Sequence, residues 1–230
     1  MFLSRKIRSG IIRAVGKVLP DSDRLRSLGY GPMLATWRER HSGDYPILAE
    51  RTEMYDFINR EIIADKAMQY LEFGVWHGES IKYFAEINSH ADSRFVGFDT
   101  FTGLPEQWVD VFRTVKSKEC DAGGELPRCD DVRVSFVSGL FQDTLSDFLQ
   151  GYRESGQLVI NNDCDLYSAT MYVLTRANDI IRPGTIVIFD EFYALMHEFR
   201  ALEDYCSSYM RSYEVIAATL DHGRVAIRML

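Results

Sequence analysis

The sequence predicts an α/β fold: one doubly wound, mostly parallel sheet of seven strands that ends in an antiparallel C-terminal hairpin. Three observations carry this expectation. From residue 52 onward, short apolar runs alternate with stretches of helical periodicity, a pattern that calls for parallel strands joined by crossover helices on both faces. The last two apolar runs, 213–219 and 224–229, are separated only by residues 220–223, which is hairpin spacing and turns one edge of the sheet antiparallel. A chain of 230 residues, 46% apolar and 26% charged, can build one domain with a full core but is short for two.

The elements follow in chain order. The first twenty residues carry five basic side chains, and Arg13 and Lys17 interrupt the apolar stretch that a signal peptide would need. They read as a basic amphipathic arm able to touch an anionic membrane or a partner subunit, or simply to lie in solvent. Residues 20–43, punctuated by Gly and Pro, read as a linker with short helical pieces. Residues 1–51 are thus expected as arm and linker, and 52–230 as the domain. Met54, Phe57, Ile58 and Ile62 mark a helix over 52–64 that delivers the first strand, 70–73. Further strands at 94–98, 132–137, 158–161 and 185–189 alternate with helices at 79–87, 142–150, 168–181 and 198–209. Residues 101–131 lack periodicity and are rich in Gly, Asp and Lys, as expected of a lid or binding insert.

Composition excludes some functions. With 26 Lys and Arg against 34 Asp and Glu, the net charge of −8 repels a phosphate backbone, so nucleic acid is not the expected partner. Cys120, Cys129, Cys164 and Cys206 form no CxxC pair and no zinc-type spacing with His, which points to a reducing, cytoplasmic compartment. No stretch approaches the roughly 20 apolar residues of a membrane span.

Ligands of open α/β sheets bind at the carboxyl ends of the strands, so those ends carry the functional reading. The first strand runs into Glu72-Phe73-Gly74-Val75-Trp76-His77-Gly78-Glu79-Ser80. Its glycines permit a tight turn and a close approach by ligand, and Glu72 can accept hydrogen bonds from one. The second strand ends at Asp99-Thr100, with Asp99 21 residues after Gly78, near the spacing at which an acid reaches ribose hydroxyls. The fourth ends in Asp163-Cys164-Asp165 and the fifth in Asp190-Glu191. So many carboxylates at adjoining strand ends repel one another unless a cation intervenes, and hard oxygen ligands suit Mg²⁺.

These segments, in this order, resemble the macrocin-type O-methyltransferases, class I enzymes with a Rossmann-like sheet that use S-adenosylmethionine. Glu72, Gly74 and Gly78 occupy the marked positions of that family's ExGxxxG turn. The run from Phe98 to Glu106 and the turn at Arg182-Pro183-Gly184 are similar to its corresponding segments, and Gly139, Phe141 and Asp143 match its GxFxDTL segment. The resemblance covers roughly 52–230. It implies a cofactor site built from Glu72, Gly74, Val75, Trp76, Gly78, Ser80, Asp99, Thr100, Gly139, Phe141, Asp143 and Asp163, with adenine bordered by the Phe141 segment. Asp143 could equally cap its helix. It also implies a divalent metal on Asp163, Asp190 and Glu191, with Asp165 in reserve as a helix cap, a small hydroxylated acceptor such as a sugar or natural-product glycoside, and a homo-oligomer.

The metal would polarise the acceptor hydroxyl for in-line transfer. The lid contains no His to serve as general base. His197, after the fifth strand, is the first substitute and His77 the second, each with a structural role as its alternative; without a metal, Asp163 becomes the base. Two other classes fit the same sheet. An NAD-binding oxidoreductase is disfavoured by the missing GxGxxG and by the hairpin, and a non-catalytic nucleotide-binding domain by the concentration of carboxylates.

Overall fold

The computed structural model describes residues 5–19, 21–110 and 114–230; residues 1–4 and 20 of the expected arm and 111–113 of the expected lid lie outside the described residues. Helices α1 (Arg5–Val18) and α2 (Asp23–Arg40) precede the short strand β1 (Ile47–Leu48) and helix α3 (Arg51–Phe57), which continues into a π-helical turn, Ile58–Ile63. Then follow β2 (Met68–Phe73), α4 (Glu79–Ile87), β3 (Arg94–Asp99), β4 (Trp108–Val109), β5 (Thr114–Val115), β6 (Val134–Ser138), α5 (Phe141–Gly151), β7 (Gln157–Asn162), α6 (Tyr167–Arg176), β8 (Ile186–Phe189), α7 (Glu198–Tyr209), β9 (Tyr213–Thr219) and β10 (Val225–Met229).

Eight of the strands form one sheet in the order β1-β9-β10-β8-β7-β2-β3-β6. β10 runs antiparallel to both neighbours and every other pairing is parallel. Successive residues of a strand face opposite sides, and the two layers of core follow from that alternation. Val159, Ile186 and Ile188 pack with Met54, Ile58 and Phe84 on one face, whereas Ile160, Val187 and Phe189 pack with Trp37, Val173 and Leu202 on the other. From β2 the chain moves outward through β3 to β6 and then returns to β7 on the other flank of β2. The carboxyl ends of β2 and β7 therefore form the switch point, where such sheets open a crevice.

Four features depart from the sequence expectation. β1 makes the sheet eight-stranded; its two residues pair with Ala218 and Thr219 and are too few to show periodicity. The expected linker contains one 18-residue helix, α2. Gly29, Gly31 and Pro32 mask its helical signal, but Ser22 caps its first turn and Arg38 and Arg40 complement its C-terminal dipole. Ser27, Leu34 and Trp37 are buried on its inner side, so residues expected outside the domain enter the core. α6 stops at Arg176 rather than 181, because Asn178 is held out of helical bonding by Arg211 and Tyr205. The described part of 101–131 is a built cover: β4 and β5 pair antiparallel, and Ser117–Cys120 forms a 3₁₀ turn. Trp108 is buried, Asp110 accepts a hydrogen bond from Ser27 of α2 at 3.0 Å, and Ser168 of α6 donates to Glu106.

Candidate active site

A cavity of about 270 Å³ opens at the carboxyl ends of β2, β3 and β7, beneath the 101–131 cover. Its floor is the turn after β2. Gly74 (φ 91°) lies so close to β7 that a Cβ there would overlap the Asp163 carbonyl, and Gly78 (φ 73°) starts α4 in a left-handed conformation. Between them Trp76 also adopts positive φ (49°), an uncommon state for a bulky side chain and one concentrated at functional sites. Asp99 holds this shape. Its Oδ2 accepts the amides of Val75 (2.7 Å) and Trp76 (2.8 Å), and its Oδ1 accepts that of Phe101 (2.8 Å). A carboxylate has about four lone-pair sites, so Asp99 keeps capacity for a ligand on the cavity side.

Of the expected residues, Gly74, Val75, Trp76, His77, Ser80, Asp99 and Thr100 line the cavity. So do Phe141, Asp163, Asp165 and Glu191 from the facing strand ends and helix starts. Others stand off its wall. Glu72 is sealed below the turn, accepting from Tyr70 Oη (2.5 Å) and Asn161 Nδ2 (3.3 Å); burial pushes its carboxyl up to about 8. Gly78 and Gly139 shape turns, Gly139 donating its amide to the Asp99 carbonyl at 2.9 Å, and Asp143 is exposed in the first turn of α5. Leu140 and Gln142, flanking Phe141, line the wall instead.

His197, the first expected base, is not among the residues that line the cavity. Its Nδ1 accepts the Tyr167 amide at 3.2 Å, so Nε2 carries the proton and donates to the Val109 carbonyl at 2.9 Å. The ring stacks on Trp108, and burial holds its pKa below the usual His value. It ties the cover to α6 and α7.

The acidic set is likewise arranged differently from the expected metal site. Asp190 is buried, and Arg224 grips both of its oxygens, Nε to Oδ1 at 2.5 Å and Nη2 to Oδ2 at 3.2 Å. Glu191 lies on the cavity wall and accepts from Tyr193 Oη at 3.2 Å, while its amide donates to Glu198. Among the described residues no three carboxylate, His or Cys side chains are gathered as a metal would require. As they stand, Asp163, Asp190 and Glu191 do not fit the expected Mg²⁺.

Asp163 is half-buried and faces the cavity, and desolvation, followed by the nearby Asp190 and Glu72, drives its pKa well above the carboxylate range. Two arginines escaped the sequence reading. Arg51, at the start of α3, is the one Lys or Arg among the described residues on the cavity wall and pairs with Glu79 at 2.6 Å; its place just before the first predicted helix was the available signal. Arg224 had been visible only as the start of the last strand.

Comparison with known proteins supplies independent findings. Residues 71–192 match the family model described as a methyltransferase domain. The 8-demethyl-8-(2,3-dimethoxy-α-L-rhamnosyl)-tetracenomycin-C 4′-O-methyltransferase of Streptomyces olivaceus is 30% identical over 191 residues, 72% of this chain and 71% of the relative. The calicheamicin methyltransferase CalS11 shares the fold with a TM-score of 0.60 at 20% identity, over 99% of this chain and 94% of that one. The O-methyltransferase NovP gives 0.57 at 22% identity, over 77% and 78%.

Proposed function

Because the chain belongs to the methyltransferase domain family, we propose that it transfers the methyl group of S-adenosylmethionine to a hydroxyl of a small molecule, a sugar or the sugar of a natural-product glycoside. The observation that carries the cofactor assignment is the Asp99-clamped turn at the switch point, opening onto a cavity of mixed chemistry. Leu140, Phe141 and Leu166 offer an apolar surface suited to adenine, and Asp99 lies within reach of ribose hydroxyls. The methionyl end carries an ammonium, a sulfonium and one carboxylate. The wall carboxylates suit the first two, and Arg51 on the same wall suits the last. The sugar acceptor is supported by the activity named for the Streptomyces relative.

When bound, the cofactor supplies an electrophilic methyl on a positively charged sulfur. The protein's part is to hold that carbon in line with the acceptor oxygen, to exclude water and to take the hydroxyl proton. The 101–131 cover and α6 close the cavity from above, joined by the Ser168–Glu106 bond. Asp163 takes the proton: it faces the cavity, and its raised pKa makes its ionised form a stronger base than an ordinary carboxylate.

Titration with S-adenosylhomocysteine tests the reading, and NAD is the control. Micromolar binding of the first and none of the second is expected; the reverse would assign the site to an oxidoreductase. With an accepted sugar in hand, Asp163→Asn should keep S-adenosylhomocysteine affinity and lower kcat by about 10²-fold or more, flattening its rise with pH. An unchanged pH profile would remove Asp163 from proton transfer.

A further inference from the structure

The carboxylates at the ends of β7 and β8 pose a charge problem that the chain solves with its own side chains. Asp190 is about as buried as a core residue, at 6% exposure, and a buried carboxylate without a partner is strongly unfavourable. Arg224 reaches back from the first position after the β9–β10 turn and meets both oxygens of Asp190. That fork-to-fork arrangement is the one in which guanidinium best replaces a hard cation. The arginine is itself anchored: its amide donates to Thr219 Oγ1 at 2.8 Å. Arg51, on the cavity wall, is coupled to the same acids: against the lowering by burial, Tyr55 and then Asp190 and Asp163 raise its guanidinium pKa, and for Arg224 the bond to Asp190 is the leading raising cause.

We propose that the Arg224 guanidinium occupies the place of a divalent cation beside Asp163 and Asp190, so that this chain performs methyl transfer without a metal. This rests on the O-methyltransferase reading. A guanidinium holds its charge at every working pH and offers donors but no open coordination position. It can therefore compensate Asp190, but it offers no position that an acceptor oxygen could enter as a ligand. The proton must leave to a protein carboxylate, which is the role given to Asp163. Arg224 is a positioning residue: it acts by fixing Asp190.

The test uses the full chain and Mn²⁺ as the probe, read by its paramagnetic resonance signal. Wild type, passed through chelator, should leave added Mn²⁺ free. Arg224→Gln strips Asp190 of its partner and leaves buried negative charge, so this variant should gain stoichiometric Mn²⁺ binding while still binding S-adenosylhomocysteine. Wild-type turnover should change by no more than about twofold with chelator present, and Arg224→Gln without metal should lose about tenfold or more. Stoichiometric Mn²⁺ on the wild type, or loss of its turnover on chelation with rescue by Mg²⁺, would overturn the proposal. So would an Arg224→Gln protein that binds S-adenosylhomocysteine but no Mn²⁺, since Arg224 would then not be what keeps metal out. If that variant does not fold, the wild-type thermal midpoint decides: Mg²⁺ should leave it unmoved, whereas a rise, the signature of a ligand held by the native state, counts against the proposal. Failure to bind S-adenosylhomocysteine in the wild type would instead sink the methyltransferase reading, separately from the question of metal.

Discussion

Glu72 shows what a sequence motif conceals at the scale of one residue. Its marked position in the turn suggested a ligand contact, yet the side chain lies under the floor, bonded to Tyr70 and Asn161. Because its folded pKa of about 8 lies above the ordinary 4.5, the folded state holds the proton more tightly than the unfolded chain does. The resulting stability is complete below the ordinary value and declines as pH rises through about 8. Glu72→Gln keeps an acceptor for Tyr70 and removes the ionisation. The variant should therefore gain on the wild type as pH is raised from 5 to 9, each kcal/mol appearing as roughly 2–4 °C in thermal midpoint. Parallel pH curves would show that Glu72 is already ionised in the fold. For Asp99, loss of three charge-assisted amide bonds should relax the turn, and Asp99→Ala should weaken S-adenosylhomocysteine by about 1–3 kcal/mol in a calorimetric titration. Unchanged affinity would place the cofactor elsewhere. Gly74, Asp99, Asp163 and Glu191 were legible because alternation of strands and helices locates strand ends, and strand ends face the crevice. The partners of Asp190 and His197 were not: they come from 34 and 88 residues away, and nothing local encodes such pairings.

Among the elements, the cover over 101–131 is where the sequence reading and the structure diverge most. Lack of periodicity suggested a lid or binding insert, and the described part of it carries hydrogen bonds to α2, α6 and α7. Short two-residue strands leave too little pattern to read. The described backbone near 101–110 should accordingly be protected from hydrogen exchange in the free protein; full exchange until ligand is added would make it instead a lid that orders on binding. His197 sets a pH limit on that protection. Asp110 and Glu106 favour its charged form and Arg200 opposes it, but burial dominates and lowers its pKa. A lowered folded pKa means that stability is intact above the unfolded value of about 6.5 and falls as pH drops below it. Protection factors around Trp108 and Val109, taken relative to the intrinsic exchange rate at each pH, should then fall between pH 6.5 and 5, and His197→Ala should loosen the cover at all pH values, by about 1–3 kcal/mol for the stranded bonds. Constant protection factors across that range would show that the imidazole does not latch the cover.

At the scale of the whole molecule, the doubly wound sheet and its hairpin followed from the order of apolar runs alone, whereas the outer layer contributed by 23–48 did not. α1 lies outside this body: its described side chains are exposed and none joins either core layer. Removing residues 1–20 should thus leave the thermal midpoint and S-adenosylhomocysteine affinity unchanged; a clear fall in either would give α1 a structural role. α2 and β1 behave oppositely. Trp37 donates to Tyr213 across 176 residues, and Ile47 pairs with Ala218. Contacts so distant in sequence close late, because the loop between them must be organised first. On a ribosome, then, the segment made early waits exposed for the one made last, with an indole and a leucine surface uncovered until β9 has emerged. A chain stalled before β9 would be the form that chaperones hold, and Trp37 fluorescence in such stalled chains should remain that of a solvent-facing indole until release.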